Sequence, residues 1–307
     1  MTLTAIAGQI SSFVTVFLGI FIEAAPFLLL GTIASGLVES FVSRDDLTRL
    51  IPHNPIAATL IGGIIGFAFP VCECGVVPLT RRLLNKGLPL SAGIAFLLAA
   101  PILNPVVLAS TAAAYGWGRM LAARLVLGLL VATLVGLIFS LNKTPHNILL
   151  FAPAINKTEG NAAKAPPTRP LKARLQASLR IAADEFFEMG RYLVLGSLLA
   201  ALMQTLIPQA TLLAIGSGPV RSVFMMQLLA FILSVCSTVD AFLSLAFAST
   251  FTTGSVLAFL VFGPMVDIKS TLMFLRVFKK RYVFYLAVLP LLLTALAAVF
   301  INLNLGW

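Results

Sequence analysis

Charge is scarce in this chain: 10% of its 307 residues are Asp, Glu, Lys or Arg, while 59% are hydrophobic. A soluble domain carries about 25% charged residues, so the composition excludes a soluble globular fold and places the chain in a bilayer. Cysteine is scarcer still. There are three, Cys72, Cys74 and Cys236, each inside an apolar segment, and that number and placement exclude the disulfide framework of a secreted domain. The two histidines, His53 and His146, sit in connections with no second ligand at metal spacing, so no histidine metal site is expected. No G-x-x-x-x-G-K-[ST] loop occurs anywhere, which leaves the chain without a nucleotide-driven motor of its own. The first residues, MTLTAIAGQISSF, hold no basic region ahead of the first apolar helix, so no removable signal peptide is expected. The formal net charge of +10 does not imply a nucleic-acid partner, because the basic residues gather at segment ends and in one linker, where cytoplasmic loops need them.

What is present is a series of apolar segments long enough to cross a hydrocarbon core about 30 Å thick, and they repeat. EAAPFLLLGTIASGLVES from Glu23 matches EMGRYLVLGSLLAALMQT from Glu188, pairing Gly31 with Gly196 at an offset of about 165 positions. FPVCECGVVPL matches LSVCSTVDAFL through Cys72 and Cys236; AGIAFLLAAPILNP matches GSVLAFLVFGPMVDI, pairing Pro101 with Pro264 and Asn104 with Asp267. Internal similarity in one order points to duplicated architecture. The fold class expected is therefore an all-α polytopic membrane protein of about eight transmembrane helices in two internally repeated halves, with broken helices at the centre. The first half is 1–141, with spans near 10–41, 55–80, 88–114 and 119–141. A basic cytoplasmic linker covers 142–180, and after its basic run LQASLRIAADEFF reads as an interfacial helix ahead of the next span. The second half is 181–307, with spans near 185–207, 222–248, 254–275 and 282–303.

Lys143, Lys157, Lys164, Arg169, Lys172 and Arg174 put the linker in the cytoplasm, and Arg81, Arg82 and Lys86 put the second connection there too. Four simple spans per half then send RVFKKR, from Arg276, to the outside, against the positive-inside rule. A re-entrant segment or an inverted second half would remove the conflict; both designs occur among membrane proteins built from repeats.

Ionisable groups at membrane depth cost a few kcal/mol or more and face a protein interior or a water-filled path. Here they fall at related places: Glu23 with Glu188 as ion-coupling candidates, Asn104 with Asp267, and Glu73 and Asp240 beside the cysteine motifs. Glu39 and Asp184 lie nearer segment ends, where water satisfies them. Pro70, Gly75 and Pro78 surround Cys72-Glu73-Cys74, and Pro101 and Pro105 surround Asn104. Each cluster interrupts a helix, and such breaks are tolerated in hydrocarbon only where they line a cavity or are buried in protein. On an unwound segment both thiols of Cys-x-Cys can turn inward, and thiolates select soft ions such as zinc or copper(I) and, by the same softness, trivalent arsenic. Cys236 is a third sulfur or a small apolar filler. Met225 and Met226 read as core.

FPVCECGVVPL and GLPLSAGIAFLLAAPILNPVVL, with VCSTVDAFLSLAFASTFTTGSVLAFLVFGPMVDIKS in the second half, resemble the signature of the bacterial predicted-permease family that includes the organoarsenical efflux permeases. The resemblance covers nearly the whole chain except the linker. It implies a multi-pass permease of the bacterial inner membrane, in which some members export trivalent organoarsenicals through cysteine ligands. Carried onto this sequence, it marks Cys72 and Cys74, then Pro101, Asn104 and Pro105. The expectation is a secondary transporter, not an enzyme, that exports a thiophilic substrate. Its substrate-binding residues are Cys72, Cys74, Cys236, Glu73, Pro101, Asn104, Pro105, Asp240 and Asp267, with Cys72 and Cys74 as metal ligands. A zinc-like divalent-metal transporter and a membrane subunit of a larger complex stand as alternatives; an intramembrane thiol oxidoreductase stands behind them. The expected partners are the lipid bilayer and a small thiophilic ion or metalloid, with a second copy or a soluble protein left open. No nucleic acid and no cofactor is expected.

Overall fold

The structure is a computed structural model that describes residues 3–43, 52, 54–69, 71–141, 148–150, 171–206 and 218–304. Pro70, His53, His146, Lys143, Lys157, Lys164 and Arg169 lie outside the described residues. The chain is all-α. Helices run as α1 (Leu3–Phe41), α2 (Pro55–Ala68), α3 (Glu73–Asn85), α4 (Leu90–Leu103), α5 (Pro105–Tyr115) and α6 (Arg119–Ser140). They continue as α7 (Leu171–Leu206), α8 (Arg221–Leu233), α9 (Asp240–Ala248), α10 (Thr253–Met265), α11 (Ile268–Val277) and α12 (Lys280–Asn304). Among the described residues the one extended contact is an isolated antiparallel bridge between Leu149 and Phe278.

Four of the expected apolar segments are broken, and the breaks have local causes. Residues 69–72 separate α2 from α3, and Cys72 holds the extended backbone that precedes a helix. Asn104 separates α4 from α5: its side chain accepts from the Val106 amide, and Pro105, which lacks an N–H to leave unsatisfied, takes the first helical position. Ser234 ends α8 in the left-handed region at φ 48°, which turns the chain sharply before α9. Asp267 separates α10 from α11 and forms a capping box with Ser270.

Contacts between helix ends fix their directions. A Cβ placed on Gly62 would meet Ala92, and one on Gly66 would meet Ala100, so α2 and α4 run parallel. Gly93, near the start of α4, lies against Leu84 of α3; α3 therefore returns to the end of the bundle from which α2 departed. The second half contains the same figure at the other end. Ser222 at the start of α8 hydrogen-bonds Ser255 at the start of α10 (2.7 Å), and α9 ends a few residues before α10 begins. Each of the stretches 55–80 and 222–248, expected as simple spans, is thus a helix–break–helix hairpin that dips in and returns. Among the described residues five stretches are long and apolar enough to cross a membrane, and the pair α4–α5, bent by 41°, makes a sixth if taken as one span. The expected eight becomes six crossings and two hairpins, because counting apolar residues cannot distinguish a crossing from a return.

The hairpins also resolve the charge conflict. Arg81 of α3 and Arg276 of α11 both contact Glu188 of α7, at 3.0 and 2.5 Å, so Arg276 sits at the same end as Arg81 and not opposite it. Glu185 accepts from Arg82 (3.3 Å) and from Ser35 (2.5 Å), Lys86 donates to the Glu39 and Val42 carbonyls, and Arg174 donates to Ser40. Glu39 lies 3.9 Å from Arg82 and Asp184 is exposed. The stretch expected as a separate interfacial helix is instead the first part of α7, a continuous 36-residue helix. At 1.5 Å per residue it is about 54 Å long, well beyond the hydrocarbon thickness, so its N-terminal turns project from that end. There α7 packs antiparallel on α1, with Gly36 against the Ser178 carbonyl. Nearer the centre, a Cβ on Gly31 would fall 2.3 Å from Gly75 Cα. Only two glycines allow α1 and α3 to approach backbone to backbone.

Candidate functional site

The tips of the two hairpins meet at the buried centre. Cys72 caps α3 at the first tip; Cys236 lies in the 234–239 segment at the second. One donor atom from each of Cys72, Glu73 and Cys236 falls within 4.8 Å of the other two, and all three residues are buried. The Cys72 thiol also faces that of Cys74. All three cysteines are free thiols. On an unbroken helix Cys72 and Cys74 would point apart; here the helix begins between them, which brings both inward. A tetrahedral soft ion with bonds of about 2.3 Å holds its sulfurs about 3.8 Å apart, so this donor set needs to close by about 1 Å or less.

A second cluster adjoins the first. Lys269 of α11 has its ammonium 3.6 Å from Glu73 Oε1 and 3.5 Å from Asp267 Oδ2, with all three side chains at most 3% exposed. The Glu73 contact, at 3.6 Å, is beyond hydrogen-bond reach, and Asp267 Oδ2 has no hydrogen-bond partner among the described residues, nor has the other Glu73 oxygen, Oε2; both Lys269 contacts are charge contacts. Asp267 Oδ1 is committed to the Ser270 amide (2.6 Å). The field of Lys269 also reaches Glu23, which is half-buried on α1. Lys269 can stand here because Gly196 of α7 leaves room for its backbone: a Cβ there would lie 2.8 Å from Lys269 Cα.

Asn104 donates to the Val71 carbonyl (3.3 Å), tying the α4–α5 break to the first hairpin tip. In the second half, the Ile268 amide donates to Ser234 Oγ (3.1 Å) and ties the α10–α11 break to the second tip. Pro101 lies inside α4, buried, and Pro105 opens α5. Asp240, at the start of α9, is paired with Arg124 of α6 in a two-pronged contact of 2.6 and 3.0 Å, with both side chains at most 3% exposed, and is not one of the donors grouped with the thiols. Thr111 accepts a further bond from Arg124 (2.8 Å). Glu188 stands at the charged end with its two arginines and not at the centre.

The structure therefore gathers Cys72, Glu73, Cys74 and Cys236, with Asp267 and Asn104 at the adjoining breaks, and sets Asp240 and Glu188 in separate ion pairs. Sequence reasoning passed over Lys269 and Arg124. Both are cations within apolar stretches, in VDIKS and RMLAARLVLGLL, and the cost of a charge at that depth is the signal that marks them.

This fold and its centre define a multi-pass α-helical membrane permease. The chain belongs to the predicted-permease family, whose model matches residues 9–303. It is 47% identical over 274 residues to the UPF0718 protein YcgR of Bacillus subtilis (strain 168), covering 89% of this chain and 90% of that protein. It is 40% identical over 270 residues to a putative two-component membrane permease complex subunit of Streptococcus mutans, covering 87% of each. The UPF0718 protein YraQ of Escherichia coli (strain K12) is 31% identical over 110 residues, covering 35% of this chain and 32% of that protein. No solved structure matches.

Proposed function

We propose that this permease is a secondary transporter that exports a thiophilic substrate, with the facing thiols of Cys72 and Cys236 as its primary ligands and Cys74 and Glu73 beside them. The observation that carries the reading is the meeting of one thiol from each hairpin tip, with the Glu73 carboxylate, within 4.8 Å. The halves act as an inverted repeat: hairpins enter from opposite ends, and breaks at Asn104 and Asp267 flank them. Broken helices meeting at the midplane of such a repeat are the usual seat of a transporter's site. A trivalent organoarsenical and a zinc-like divalent cation both suit sulfur ligands. The arginine- and lysine-rich end, with the linker that leaves it, faces the cytoplasm of a bacterial inner membrane by the positive-inside rule.

A second reading has its own support: a relative of similar length carries the name of a two-component complex subunit, and this chain then works with a partner protein. Uptake into everted vesicles separates the readings. Trivalent methylarsenite or zinc should accumulate with wild type and not with Cys72→Ser/Cys236→Ser. Flux that survives the double substitution would remove the thiols from the pathway. Flux absent from the chain alone, and restored by co-expressed neighbours, would establish the subunit reading.

A further inference from the structure

Two buried cation–carboxylate clusters lie near the centre, and they are built differently. Arg124 and Asp240 close to 2.6 and 3.0 Å in a fork with hydrogen-bond geometry, as expected for a pair whose role is to hold helices together. Lys269 stops at 3.5 and 3.6 Å from two carboxylates, and on each of these one oxygen is left without a hydrogen bond among the described residues. The ammonium is on a flexible four-carbon stem, so geometry alone does not forbid closer approach. It is shared between one carboxylate that belongs to the thiol group, Glu73, and one on its own helix start, Asp267. The Glu73 contact also crosses between elements, from the first hairpin tip to α11.

We propose that Lys269 is a tethered occupant of the cation position beside the thiols: it holds Glu73 while no substrate is bound, and an arriving thiophilic cation displaces it from Glu73 onto Asp267. Two negative charges face one positive charge, so the cluster accepts a further cation without expelling Lys269 from the protein interior. Asp267, two residues away, supplies the refuge. Displacement removes the ion pair between the first hairpin and α11, which pack on each other, and so couples occupancy to freedom of the hairpin; return of the ammonium to Glu73 expels the cation. The inference rests on the thiol site proposed above and adds to it the residue that sets its affinity.

Cadmium is the probe, because its binding to thiolates is read directly as ligand-to-metal charge-transfer absorption in the detergent-solubilised protein. Wild type, Lys269→Met, Lys269→Arg and the charge-balanced Asp267→Asn/Lys269→Met are titrated. Asparagine keeps the helix cap at 267, as Asn104 does at its own break, so the double variant guards against a fold failure caused by an unpaired carboxylate. The expected result is cadmium affinity raised about tenfold in both methionine variants, slower cadmium release from proteoliposomes, and affinity within about threefold of wild type for Lys269→Arg. Charge transfer in wild type with unchanged or weaker affinity in both methionine variants would overturn the role of Lys269 and leave the thiol site standing. No charge transfer in wild type would overturn the thiol site, and this inference with it.

Discussion

Replacing Asp240 with asparagine removes the negative charge of the Arg124 pair and leaves a guanidinium that is 0% exposed with neutral acceptors, Thr111 and the new amide oxygen, in place of its counter-ion. Breaking a buried pair from one side costs about 3–5 kcal/mol, because the remaining charge stays in a low-dielectric interior uncompensated. The lower end applies here, since a helix still embedded in lipid finds substitute partners that an unfolded soluble chain does not need. At roughly 2–4 °C per kcal/mol for a chain of this size, Asp240→Asn should lower the melting temperature by about 10 °C. The assay is loss of monodisperse protein from detergent extracts after graded heating. Arg124→Met should cost a similar amount, by stranding the carboxylate. Arg124→Met/Asp240→Leu removes both charges and should melt within a few degrees of wild type, because an apolar replacement of a buried pair is often neutral. If the double variant falls by the sum of the singles, the two residues are not coupled and the pair is not what joins α6 to α9.

Two further results are expected. With Cys74→Ser in place and a protease site inserted within residues 151–170, mild oxidation should bond Cys72 to Cys236, so that the cleaved halves migrate together on a non-reducing gel; halves that separate would mean the hairpin tips do not meet. Single cysteines placed at Trp117 and Gly218 should react with an impermeant thiol reagent from one side of the membrane, and those at Leu171 and Lys280 from the other, all four sites being exposed. Reaction of Gly218→Cys and Lys280→Cys from one side would refute the inverted arrangement.

Helix breaks were readable because their causes are local. Pro105 after Asn104 and the Asp-Ile-Lys-Ser run at 267–270 stop and restart a helix through contacts within four residues. Membrane residence followed from composition alone, and the cysteines drew notice because thiols and a carboxylate are out of place beside a helix break. Direction of travel was not readable. The residues of 55–80 are as apolar as a crossing requires, and only the docking of α2 along α4 shows that the chain turns back. Glu188 looked like Glu23 by repeat position, yet partners from distant elements, Arg81 and Arg276, set its surroundings. Lys269 and Arg124 escaped for a related reason: a cation's meaning at membrane depth is its counter-ion, and although Asp267 stands two positions from Lys269, its second counter-ion, Glu73, is 196 positions away and that of Arg124, Asp240, is 116.

Helices α3, α5, α9 and α11 all begin at the broken centre, with Glu73, Asn104, Asp240 and Asp267 at their starts. Every helix start carries roughly half a positive charge from its aligned peptide dipoles, so the backbone alone makes the middle of this molecule electropositive by about two charges. The three carboxylates are in large part spoken for before any cargo arrives. A positively charged visitor therefore meets a muted attraction and not a deep well, and a carrier has to release what it holds as readily as it takes it up.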